Sequence, residues 1–179
     1  MSVSPARLAT YIAIPTALVA AGITATIIAN NLSGVGDASK NNSSTLSDVT
    51  VPEVDGTQDI CANLVDGLPT EIDGRTQRSV KGHPGSMAWG QPPVVLICGV
   101  AKPAGYKATA QLTVVNDVTW FVKTQTDTSA YGVPGDNTLW TAMDREVYIS
   151  VAVPNEVAGS TAIAPISTVV KQRLKSIEK

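Results

Sequence analysis

The chain has 179 residues, 44% of them hydrophobic and 16% charged, and a formal net charge of −2. That length fits one domain, and a near-neutral balance excludes wholesale electrostatic binding to nucleic acid, which needs a basic face. Two cysteines exclude a four-cysteine zinc site, an iron–sulfur cluster and a disulfide-dense scaffold, and the single histidine, His83, excludes any site built on two imidazoles. No metal or cofactor is expected, and the sequence reveals no reaction or substrate.

Leu8 to Ala29 (LATYIAIPTALVAAGITATIIA) is 22 residues long without a charge. At ~1.5 Å per residue it reaches across a ~30 Å hydrocarbon core as a helix, which is the form that lipid enforces on a single span. The run is longer than the apolar region of a cleaved signal peptide, and Ala20-Ala21-Gly22 lies inside it rather than after it. It therefore reads as an uncleaved signal anchor. Arg7 is the only charged side chain before Asp37, so residues 1–7 are expected in the cytoplasm and everything after the anchor outside it. The expected location is a single-pass cell-membrane protein with an extracytoplasmic carboxy-terminal domain, in contact with membrane lipid through residues 8–29.

Residues 30–58 (NNLSGVGDASKNNSSTLSDVTVPEVDGTQ) turn polar, with no run long enough to bury surface, and read as a flexible tether. Residues 59–179 carry 11 acids and 11 bases. They are read as the folded, electrically balanced domain.

Within that domain, Thr57 and Asp59 mark the start of a helix in which Ile60, Cys61, Leu64 and Leu68 recur at helical spacing, ended by Gly67 and Pro69. Arg75 to Val80 reads as a short strand, and Val94 to Cys98 as a strand buried on both faces and ended by Gly99. Asn116-Asp117 between Ala110–Val115 and Val118–Thr124 is a two-residue hairpin signature. Thr138–Met143 and Glu146–Val153 form a further pair, with Val147, Ile149, Val151 and Val153 on one face. Ser160 or Thr161 is expected to cap a last helix lined by Ile163, Ile166, Val170, Leu174 and Ile177, with Pro165 in its first turn. Helix, antiparallel strands, helix is the order of a two-layer α+β sandwich. Export makes Cys61–Cys98 the natural disulfide, tying the first helix to the central strand.

The series Cys61-x-x-Leu64-x-x-x-Leu68-Pro69, Ala88-Trp89-Gly90-x-Pro92-Pro93-Val94-Val95-Leu96-x-Cys98-Gly99, Trp120, Arg145-Glu146-Val147-Tyr148 and Val153-Pro154 resembles an actinobacterial domain-of-unknown-function family. Its members are small exported or membrane-anchored envelope proteins without an assigned activity. The resemblance covers about residues 59–172 and implies compartment and fold rather than chemistry. The members' paired arginine is here split as Arg75-Thr76-Gln77-Arg78.

Nucleophile elbows and phosphate-loop or dinucleotide glycine patterns are absent from the sequence. Arg75, Arg78 and His83 form the candidate anion-binding cluster, set against a solvated hairpin. Trp89, Trp140 and Tyr131 are candidate partner contacts, with core packing as the alternative for the tryptophans. The functional expectation is a non-catalytic, membrane-anchored accessory or assembly subunit of an envelope or respiratory membrane complex. The alternatives are an envelope glycan or lipid-headgroup receptor or enzyme using the Arg75/Arg78/His83 loop, and a tethered structural module.

Overall fold

The computed structural model describes residues 40–177. The expected cytoplasmic flank, the anchor helix 8–29 and the first part of the tether lie outside them. Among the described residues no helix is long and apolar enough to cross a membrane. The elements are α1 (Gln58–Val65), β1 (Glu71–Ile72), β2 (Arg75–Ser79), β3 (Ser86–Trp89), β4 (Val94–Val100), β5 (Leu112–Val115), β6 (Val118–Asp127), β7 (Asp136–Ala142), β8 (Tyr148–Val153) and α2 (Gly159–Arg173). The strands make one antiparallel sheet in the order β1-β2-β3-β4-β8-β7-β6-β5.

Period-two alternation divides the sheet's side chains between two apolar layers. Val94, Leu96 and Cys98 of β4, Trp120 of β6 and Ile149, Val151 and Val153 of β8 point into a core shared with Cys61 and Leu64 of α1 and Ile163, Ile166 and Val170 of α2. Both helices thus cover the same face. Val95 and Ile97 point the other way, into a second cluster with Val80, Ala88 and Ala152. The continuous apolar run of β4 is needed because this central strand is buried on both sides. The Cys61–Cys98 disulfide joins α1 to β4 with the Cα atoms 5.6 Å apart.

The second face is closed by residues that the sequence analysis places in the tether. Leu46, Val49 and Val51 are buried there, Leu46 bridging Val80 and Val49 bridging Tyr131. Backbone bonds fix the strap: Leu46 N–H to Ser79 O at 2.9 Å, Thr50 N–H to Ala130 O at 2.8 Å and Val54 N–H to Gly99 O at 2.6 Å. Three isolated apolar side chains cannot make a core alone. They suffice here because the sheet supplies the other side, each burial contributing roughly 1.5–3 kcal/mol.

Four local details differ from the sequence reading. Gly99 does not end β4; at φ +74° it makes a bulge, and the strand continues to Val100. The bulge turns Val100 from the helix face to the second face, where it joins Val95 and Ile97. Thr57 does not cap α1, because its hydroxyl donates back to Val54 O at 2.7 Å. Likewise α2 begins before Ser160 and Thr161, at Gly159 after an Ala158 N-cap, so Pro165 lies inside the helix rather than in its first turn. The entry point is set by packing: a Cβ on Gly159 would stand 3.1 Å from the Trp140 ring. The helix stops at Arg173, leaving Ile177 exposed rather than on its apolar side.

The hairpin expected at Asn116-Asp117 is present, both residues having positive φ as a type I′ turn requires. It is also fastened to α2: Asn116 Nδ2 donates to Ala164 O at 2.9 Å, and Lys171 pairs with Asp117. The hydrogen bond donated by Lys171 and its positive charge hold the Asp117 carboxyl below the usual carboxylate range. Beneath the turn, Arg145 and Asp144 form a buried ion pair at 3.0 Å, with Arg145 Nη2 donating to Asp117 O.

Candidate functional site

The basic residues singled out in the sequence are structural fasteners rather than an open anion site. Arg78 is buried, and its guanidinium donates to Ser44 O at 2.6 Å, Gly90 O at 2.8 Å and Gln91 Oε1 at 2.9 Å. Burial among carbonyls lowers its pKa by desolvation. Arg75 is also buried and pairs with Asp73 at 2.7 Å. Gly90, at φ +62°, sits directly on the Arg75 stem, where an added Cβ would fall 2.6 Å from Cγ. The two arginines therefore grip Gly90 of the Ala88-Trp89-Gly90 block from separate sides. His83 turns elsewhere: its Nδ1 lies 3.0 Å from Glu53 Oε1, which also accepts from Ser86 Oγ at 3.2 Å. All three side chains hold the strap or the β3–β4 loop to the sheet, and each has an internal partner.

The aromatic candidates divide. Trp89 is fully buried, and its indole N–H donates to Pro69 O at 2.8 Å, so it has no surface to offer a partner. Trp140 is half-buried on the helix face and meets Trp120 edge to face, with ring centroids 6.4 Å apart. Tyr131 is half-buried on the opposite face, beside the strap. Trp140 and Tyr131 thus belong to different faces and do not form one patch.

On the second face the structure assembles a cleft of about 260 Å³. Val51 and Pro52 of the strap, Val100 to Ala104 after β4, and Tyr131 and Leu139 line it, with Thr141 and Ser150 deepest. Thr141 and Ser150 are cross-strand partners in β7 and β8, with hydroxyls 2.9 Å apart. Lys102 and Lys123 stand exposed at its mouth, and Lys102 Nζ lies 5.1 Å from the Tyr106 ring centroid. Desolvation raises the pKa of Tyr131, with a hydrogen bond to Ser150 acting in the opposite direction. A neighbouring cleft of about 360 Å³ lies along the other side of Val100–Lys102, between Val54, Thr57 and Val147. Among these residues only Tyr131 is a candidate partner contact in the sequence reading. The available signal is the Ser150 hydroxyl in the otherwise largely apolar β8, matched across the strand pair by Thr141 of β7.

The second open feature is the β5 edge. One side of β5 pairs with β6, and among the described residues no strand covers the other. Leu112 and Val114 project from it, 40% and 66% exposed, on the same side of the sheet as Phe121. Phe121 packs edge to face on Tyr106, with centroids 5.4 Å apart.

Among the described residues no group of histidines, cysteines or carboxylates is arranged to hold a metal ion. No curated protein and no solved structure significantly matches the chain. A family model described as a protein of unknown function (DUF3515) matches residues 12–178, well over half of the sequence, and the chain belongs to that family.

Proposed function

We propose that the protein is a non-catalytic accessory or assembly subunit of an envelope or respiratory membrane complex, held to the membrane by residues 8–29, with its α+β domain extracytoplasmic. The β5 edge carries this reading. Soluble sheets blunt their edges with charge, proline or a covering loop, because an open ladder beside apolar side chains recruits another chain. Here Leu112 and Val114 decorate such an edge without a charged residue between them. An extracytoplasmic segment of an integral-membrane partner, adding a strand beside β5, would satisfy the ladder and bury both side chains. The 22-residue charge-free run preceding the domain supports delivery of that edge to a membrane surface.

The test is site-specific photo-crosslinking from position 114 in intact cells, combined with a topology reporter fused after Lys179. The reading expects a crosslink to an integral-membrane protein and a reporter active outside the cytoplasm. A reporter active only in the cytosol overturns the placement, and crosslinks to lipid or nothing overturn the docking. The receptor reading through Arg75, Arg78 and His83 has less support, since those side chains are bound internally. The tethered structural module is the outcome in which position 114 meets no partner.

A further inference from the structure

We infer that the cleft beside Val100 binds a medium-chain carboxylate amphiphile, its hydrocarbon lying against Val51, Val100 and Leu139 and its carboxylate between Lys102 and Lys123. The inference stands independently of docking at β5. Five separate segments converge to make the cleft: the strap, the end of β4 with the chain after it, β6, the stretch before β7, and the β7–β8 pair. One of its walls exists only because the Gly99 bulge re-aims Val100.

The chemistry of the lining selects the ligand class. Its walls are mainly aliphatic, so burial of a hydrocarbon chain supplies the binding free energy. The two ammonium groups choose the sign of the charge, and among the described residues that line the cleft no carboxylate opposes an anion. At the deep end, the Thr141, Ser150 and Tyr131 hydroxyls share two hydrogen bonds, Thr141 with Ser150 and Ser150 with Tyr131, leaving one further O–H donor among the three. Burial disfavours the Tyr131 phenolate, so this wall adds no negative charge to oppose an anion. At about 260 Å³ the cleft lies below the ~300–1,000 Å³ of drug-sized pockets, which suits a single short chain and not a two-tailed lipid.

The full chain in lipid nanodiscs, methyl-labelled at valine and leucine, should be titrated with sodium octanoate and separately with 1-octanol. Octanoate is expected to give saturable shifts at Val51, Val100 and Leu139, with an affinity at least about tenfold above that of the alcohol. The Lys102→Ala/Lys123→Ala variant is expected to lose that advantage while still binding octanol. Leu139→Trp should fill the cleft and abolish both. Absence of shifts at these methyls, equal affinity for the two probes, or undiminished octanoate binding in the double variant overturns the inference. The comparison of the two probes on the unaltered chain needs no variant to fold.

Discussion

Trp120 Nε1 donates to Ser167 Oγ at 3.0 Å, both groups buried, and this bond latches the largest side chain of β6 to α2. Ser167 is the polar residue on the otherwise apolar inner face of α2, which also carries Ile163, Ile166 and Val170. Ser167→Ala should leave a buried indole N–H without a partner and lower the unfolding free energy by about 1–3 kcal/mol. Urea denaturation followed by tryptophan fluorescence measures it. Unchanged stability would show that the indole re-pairs.

Gly99 should tolerate no side chain. Its φ of +74° strains an L-residue, and a Cβ would run into the Thr57 side chain and come within 3.4 Å of Cys61 Sγ. Gly99→Ala is expected to cost about 2–4 kcal/mol, combining left-handed strain with overpacking. It should also shift the Val100 methyls, because the bulge sets their direction. Stability within about 0.5 kcal/mol of the parent contradicts this account of the bulge.

The crosslink between α1 and β4 closes a loop with a sequence separation of 37. Replacing Cys61 and Cys98 together by alanine should reduce stability by about 2–4 kcal/mol, mainly by releasing unfolded-state entropy. Denaturation of the parent with and without reductant should show the same loss. Reductant should leave the alanine variant unaffected.

Arg78→Ala should act on stability rather than on ligand affinity. It removes the donor shared by Ser44 O, Gly90 O and Gln91 Oε1 in a buried setting, at a cost of about 2–4 kcal/mol. Arg78→Lys should recover little, because a single ammonium cannot span acceptors arranged for a guanidinium fork. A variant as stable as the parent, but impaired in binding an anion, would restore the receptor reading.

Elements whose own residues set their conformation were legible in the sequence. The Asn116-Asp117 turn carries its positive φ in its composition, and β4 shows its two-sided burial as an unbroken apolar run. The disulfide followed from there being only two cysteines and an expected oxidising compartment. The strap was not legible, because Leu46, Val49 and Val51 have no pattern until a sheet is placed beneath them. The basic cluster misled for a related reason: nothing local says that Arg75 and Arg78 face Gly90 rather than solvent. Nor does spacing show that Lys102, Lys123, Thr141 and Ser150 meet, since four elements must fold to bring them together.

Blue-native electrophoresis of mildly solubilised membranes, comparing the tagged parent with Val114→Lys, tests the proposed docking most directly. The parent should migrate within a larger assembly, and the lysine variant, equally folded by thermal melting, should fall to the mass of the lone chain. A parent that runs only at its own mass, or a variant that stays in the assembly undiminished, would contradict the account.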